Sequence, residues 1–267
     1  VNSPPSPGGC LIAFALSLLN NIQLAQYEWG GPQHALALAN VMQAASLIRK
    51  RHGLESGLDN KTAAVILSGE NLSNWNKTLQ TGGLATRGTT QVSVADFEGN
   101  LASLTLSNGE GSSYVLPGSG IMLNNMLGEE DLNPGGFNRW KKGIRLASMM
   151  SPAIIEQADG TRFALGSGGS NRIRSAITQV MINLLDFDMA PEQAVAAPRI
   201  HLEGNMLSLE PGFSESVIDV LESAAPRTHH WPEKNLFFGG VHTVSVKHGG
   251  IFDGAGDPRR GGVVAFA

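Results

Sequence analysis

The chain has 267 residues, a formal net charge of -4, 42% hydrophobic residues, 16% charged residues, 33 glycines and a single cysteine. That length is ample for a buried core, and the hydrophobic content with so little net charge excludes a disordered chain. No basic run exceeds Arg49-Lys50-Arg51, which excludes a nucleic-acid binder that works through phosphates, and lone Cys10 excludes an internal disulfide framework and cysteine-paired zinc sites. The apolar run at 10–19 is about half of what a membrane span needs, so no membrane span is expected.

Residue 1 is Val, so the natural start is expected upstream and the compartment is not legible. Residues 2–9 read as a rigid Pro/Gly turn that is not helical. A helix over 11–23, apolar on nearly every side, is expected to be buried. The next, over 33–51, is amphipathic and ends on Arg49, Lys50, Arg51 and Gly53, a favourable C-terminus. Residues 53–88 are polar with little periodicity and read as an exposed, mobile linker. Asn60, Asn71 and Asn76 head Asn-x-Ser/Thr sequons, which arise easily by chance in such a stretch.

The texture changes at Thr89. Runs at 91–96 and 101–107 around Phe97-Glu98-Gly99-Asn100 predict a β-hairpin, and 153–157 with 162–165 predict a second. A strong helix is expected over 171–187, a shorter one from Pro191 and another over 214–223. Strands at 241–247 and 251–253 close the chain. Hairpins alternating with a few helices indicate an α+β fold, with helices packed on antiparallel sheets.

Familiar catalytic motifs are absent: no Gly-x-Ser-x-Gly elbow, no phosphate loop, no complete dinucleotide fingerprint and no His-Glu-x-x-His among seven histidines. No metal and no cofactor are expected. Two features remain. Gly88-Thr89-Thr90 sits where polar linker meets first strand. A threonine hydroxyl needs a base beside it, and a cut before Thr89 would free an α-amine of pKa near 8 to serve as one. The plainer reading is that the two threonines simply begin a strand. The second is Gly166-Ser167-Gly168-Gly169-Ser170, leading into the 171–187 helix. Amides at a helix start, approached past glycines, can form an oxyanion hole, or the run can be a tight turn with a cap. Together they make acyl transfer credible; a serine-histidine hydrolase built on His201 or His242 is the competing arrangement.

These residues resemble the γ-glutamyltranspeptidases. Thr89-Thr90-Gln91-x-Ser93-Val94 with Asp96-x-x-Gly99-Asn100 is similar to the start of that family's small subunit. Further matches are the runs 119–125 and 148–152, Gly168-Gly169-Ser170-x-Arg172-Ile173, Ala197-Pro198-Arg199-x-His201 and Asp257-Pro258-Arg259. The turn at 4–9 resembles a segment near the end of the large subunit. The resemblance implies an N-terminal-nucleophile hydrolase with a layered α/β/β/α core. Residues 1–88 would be the end of a large-subunit-like region and 89–267 a small-subunit-like catalytic region.

It further implies self-cleavage between Gly88 and Thr89. Thr89 then attacks a γ-glutamyl amide such as glutathione, and water, an amino acid or a peptide takes the acyl group. By the same resemblance Gly168 and Gly169 donate the oxyanion amides, Thr90 supports the nucleophile and Ser107 orients it. Asn108, Glu129 and Ser148 would bind the substrate's amino-acid head group. Met126 stands where the family has Gln or Glu, and Ser148-Met149 where it has paired serines. These departures bear on γ-glutamyl specificity, so an N-terminal-nucleophile acylase acting on another amide, or an unprocessed non-catalytic module, stays open. The first half of the family's precursor, with a carboxylate-binding arginine, is the expected missing partner.

Overall fold

The computed structural model describes residues 4, 6–54, 57–75, 89–129, 132–133, 136–140, 142–143 and 145–267. Helix α1 (Gly8–Asn21) and helix α2 (Pro32–Arg51) form an antiparallel pair that, with the buried helix α5 (Arg172–Leu185), carries the main core. Leu11, Phe14, Leu19, Ile48, Ile173, Ile177 and Val180 are all essentially inaccessible. Of the expected turn at 2–9, residues 2, 3 and 5 lie outside the described set, and its last two residues are helical. Gly8 and Gly9 open the first turn of α1, where a side chain at Gly8 would overlap Ser151 and the Met149 carbonyl. Glycine is there for closeness of approach.

The polar stretch at 53–88 departs further from the expectation. Its described part holds two short helices, α3 (Asn60–Ile66), capped by Asp59 accepting from the Thr62 amide, and α4 (Gly69–Trp75). Leu58, Ile66 and Trp75 are buried, and Trp75 meets the Phe14 ring edge-on at 6.1 Å. A few widely spaced apolar residues suffice to dock short helices, which periodicity over a long window misses. Asn71 donates to the Ile66 carbonyl and accepts from the Trp75 indole, so this sequon serves the fold. Residues 76–88, including Gly88 and Asn76, lie outside the described set.

Both predicted hairpins are present. Strands β1 (Thr89–Ala95) and β2 (Leu101–Ser107) pair antiparallel, Thr89 opposite Ser107. Strands β3 (Ala153–Glu156), β4 (Arg162–Gly168), β8 (Gly240–Lys247) and β9 (Ile251–Ala255) form a four-stranded antiparallel sheet in that order. Helix α6 (Pro191–Ala196) starts at the expected proline, and α7 (Glu215–Ala224) covers the expected 214–223. A third sheet went unread: β5 (Ile200–Glu203), β6 (Met206–Leu209) and β7 (Arg227–His230). Its β6–β7 pair is parallel, one departure from wholly antiparallel pairing. Gly204-Asn205, between β5 and β6, is the two-residue hairpin signal that could have found it.

The layers follow from the faces of β4. Phe163 and Leu165 point into the core with α5, while Gly166 and Gly168 face β1. Helices, the four-stranded sheet and the β1–β2 hairpin therefore stack in three layers. The outer face of the hairpin, with Val92, Val94, Leu104 and Leu106 each about half exposed, has no fourth layer over it among the described residues. Replacing Trp75 with Ala should cost about 3–5 kcal/mol of unfolding free energy, as for other buried aromatics. Urea denaturation checks it; a neutral result would mean that α4 does not support the core.

Candidate active site

Thr89 is the first residue of β1, and its position is fixed from three sides. Its hydroxyl donates to Ser107 Oγ at 3.2 Å, and the same Ser107 oxygen accepts the Gly109 amide at 3.2 Å. Its carbonyl lies on Gly168: a Cβ there would overlap the Thr89 carbonyl oxygen and carbon. Two residues on, Gln91 occupies the space that a side chain at Gly166 would take. Gln91 is buried, accepts from Thr105 Oγ1 at 2.5 Å and donates to Ser103 Oγ at 2.9 Å, and Ser103 donates to the Leu165 carbonyl at 2.8 Å. Ser93 adds a bond to the His242 carbonyl at 3.1 Å. The two sheets are joined here by polar side chains and glycines in place of a greasy interface.

Gly168 ends β4 opposite Gly240, and Gly169 follows with φ +133, a backbone state that side chains disfavour. Gly239 comes so close to Gly169 that a Cβ would stand 2.9 Å from its Cα. After Ser170 and Asn171 comes α5, whose first turn points its amides back toward this glycine corner. The structure thus brings Thr89, Ser107 and Gly168 together, with Gly169 adjacent in the chain. Thr90 is exposed, on the opposite face of β1 from Thr89 and Gln91.

Asn108 and Glu129 belong to the loop after β2. The Asn108 carbonyl accepts the amides of Gly111 and Asn125, which fold the loop back. Glu129 is buried, its Oε1 3.0 Å from where a Cβ on Gly109 would stand, two residues from Ser107. Asn133 donates to the Glu129 carbonyl at 2.7 Å and accepts from the Trp140 indole, securing the turn. The Ser148 hydroxyl accepts the Met150 amide in the 148–151 run that abuts the start of α1. Met149, in place of a second serine, is buried in the core.

A buried charge cluster braces the corner. Arg199 pairs with Asp257 at 2.7 Å, and Arg259 pairs with Glu210 at 2.5 Å and Asp257 at 3.2 Å. Asp257 also accepts the Val241 amide at the start of β8. Burial alone would push the Asp257 carboxyl up, but Arg199, Arg259 and the amides outweigh it and hold it below its ordinary value. The Arg199 and Arg259 motifs were visible in sequence; their role as a brace was not. Glu210 and Arg260, whose Nη1 reaches the Thr89 carbonyl at 3.4 Å, were missed.

The histidine alternative has a real pair and no room. Ser175 Oγ lies 2.7 Å from His201 Nδ1, and Glu203 lies 3.4 Å from Nε2, but both Ser175 and His201 are buried. The cavity that they line with Leu11, Met42 and Arg174 is about 20 Å³, enough for one water. His242 accepts the Asp257 amide at 3.1 Å and packs on Gly262. No cluster of three metal-ligating side chains occurs among the described residues.

The family model for gamma-glutamyltranspeptidase matches residues 1–267. The chain belongs to the gamma-glutamyltranspeptidase family. It is 30% identical to the Acylase ACY 1 proenzyme of Pseudomonas sp. (strain V22), over 94% of this chain and 47% of that protein. It is 27% identical to the Glutathione hydrolase proenzyme of Escherichia coli (strain K12), over 96% of this chain and 48% of that protein. The gamma-glutamyltranspeptidase of Pseudomonas nitroreducens, solved with L-DON, superposes with a TM-score of 0.56 at 28% identity, over 67% of this chain and 99% of that one. The fold is the α+β N-terminal-nucleophile hydrolase architecture. The chain spans about half the length of the curated relatives it matches.

Two outcomes test this corner and the buried histidines, which include His34 on α2, packed against Trp29 and Phe187. Gly168→Ala drives a methyl into the Thr89 backbone and should destabilise the chain by about 1–3 kcal/mol, as overpacking does. Burial holds His34 at about 4 and lowers His201 and His242 below their usual 6.5. Below pH 6.5 the unfolded chain takes up protons that the folded chain refuses. Stability should therefore be flat above pH 6.5 and fall steadily toward pH 4, about 3 kcal/mol from His34 alone. Urea midpoints at pH 7.5 and 5 measure it; equal midpoints would contradict neutral burial of these rings.

Proposed function

We propose that the full protein is a self-processing γ-glutamyltranspeptidase-like enzyme whose nucleophile is Thr89. The observation that carries this is the Thr89 hydroxyl on Ser107, at a strand start pressed against Gly168. In the first step the Thr89 hydroxyl oxygen adds to the Gly88 carbonyl, the peptide C–N bond breaks, and an ester forms. Water hydrolyses the ester, leaving a Gly88 carboxylate and a free Thr89 amine. That two relatives are proenzymes supports a cut of this kind.

In turnover the α-amine takes the hydroxyl proton as Thr89 attacks a γ-glutamyl amide, as in glutathione. The amides of Gly168 and Gly169 stabilise the oxyanion, Ser107 supports the nucleophile, and the leaving amine departs with the proton. Water, an amino acid or a peptide then accepts the acyl group. Glu129 suits a substrate ammonium, with Asn108 beside it and Ser148 for a carboxylate. A second reading, acylation of a different amide, is favoured by Met126 and Met149 where polar head-group contacts are usual, and by the acylase relative. The partner is the remainder of a full-length precursor, for which the open face of β1–β2 is a fitting seat.

The expected result is two fragments meeting at Gly88/Thr89 in the intact mass of the incubated chain, with Thr89→Ala remaining whole. Turnover of a γ-glutamyl anilide by this chain alone should be slight. A wild type that stays uncut under these conditions would remove self-cleavage from the chain as it stands; a cut that persists in Thr89→Ala would remove Thr89 from the role.

A further inference from the structure

Arg260 ends the one-turn 3-10 helix Pro258–Arg260, one residue after the most firmly anchored side chain of the corner. Arg259 gives hydrogen bonds to Glu210, Asp257 and the carbonyls of Val195 and Ala197, so the turn has little freedom. From it the Arg260 side chain runs across Gly240, where a Cβ would overlap its Cδ. The guanidinium ends between two carbonyls, Nη1 on Thr89 and Nη2 on Leu236, each at 3.4 Å. Nη2 also lies 3.6 Å from where a Cβ on Gly169 would stand. Its Nε is buried with no acceptor, and no carboxylate lies within ion-pair distance among the described residues.

We propose that Arg260 is a positioning residue for Thr89: it holds the Thr89 carbonyl over Gly168, and its charge shifts the freed Thr89 α-amine toward its neutral form near pH 7. The second half rests on the reading that a cut frees that amine. An α-amine ordinarily titrates near 8, so at pH 7 most of it is an ammonium and unable to accept the hydroxyl proton. Within one residue the amine and carbonyl oxygen are about 3 Å apart, which puts the guanidinium roughly 6 Å from the amine. A like charge at that distance lowers the amine's pKa by roughly half to one unit.

The other charges around the corner do not cancel this. Asp257 acts on Arg260 from beyond ion-pair distance, but its charge and that of Glu210 are balanced by Arg199 and Arg259, and Arg172 gives its Nε to the Phe237 carbonyl. His242 is held neutral by burial, with its Nδ1 accepting from the Asp257 amide. Glu129 stands beyond Gly109, across Ser107 from Thr89. The charged side chain in contact with the Thr89 backbone is Arg260.

The test uses the full chain with Ile-Glu-Gly-Arg at positions 85–88, so that factor Xa exposes the Thr89 amine whether or not the protein can cut itself. The pKa of that amine is read from the pH dependence of its acylation, followed by mass spectrometry of the N-terminal peptide. Arg260→Gln should raise it by roughly half to one unit, and Arg260→Lys should leave it near the wild-type value. A purely structural arginine would not show that rescue by charge. Gly240→Ala keeps every charge but forces the side chain aside, and should raise the pKa in the same direction even if Arg260→Gln does not fold. An unchanged amine pKa in folded Arg260→Gln, or in Gly240→Ala, overturns the proposal. Because factor Xa makes the nick, an uncut wild type in the self-cleavage experiment counts against that reading alone.

Discussion

How closely strand β1 can lie on strand β4 decides what the rest of the site can be. Stacked sheets ordinarily stand about 10 Å apart, with side chains filling the gap. Here Gly166 and Gly168 remove the filling from one side, so Gln91 and the Thr89 backbone come down onto β4. Such contact leaves no apolar layer to drive it, and the hydrogen bonds of Gln91, Ser93 and Ser103 take its place. Each is worth about 1 kcal/mol when made, and an unmet partner costs more, so the seam tolerates one register. A one-residue slip of β1 would turn Thr89 to the outer face.

The seam is held from behind by rigid material. The α1–α2–α5 core backs the four-stranded sheet, and the Arg199–Asp257–Arg259–Glu210 cluster locks the start of β8 to the chain's final turn. A buried ion cluster is weak evidence of stability, since its members lose hydration, but breaking one leaves an unpaired charge indoors. Its use here is geometric: it fixes Gly239 and Gly240, which in turn leave Gly169 and Arg260 only one arrangement.

Much of this was legible from the chain. The long amphipathic helices, both hairpins and the glycine run before α5 carry strong local signals. Thr89 and Gly168 stood out as separate features, and the family pattern joined them. What stayed hidden is non-local. Nothing near Gly168 in sequence says that Thr89 rests on it, and nothing near Arg260 says that its reach ends 171 residues away. The four-residue strands β5, β6 and β7 are too short for periodicity, and the docked helices α3 and α4 are only seven residues each.

Helices α1 and α2 lie on one side of the Gly88–Thr89 bond and α5 lies on the other, yet all three share one continuous core. A cut at that bond would make the protein a heterodimer whose two chains share this core. The change appears only on unfolding. The intact chain refolds at an effective concentration set by its tether, whereas the nicked one must find its other half by diffusion. Its melting temperature then depends on how much protein is present, and dilution becomes a denaturant.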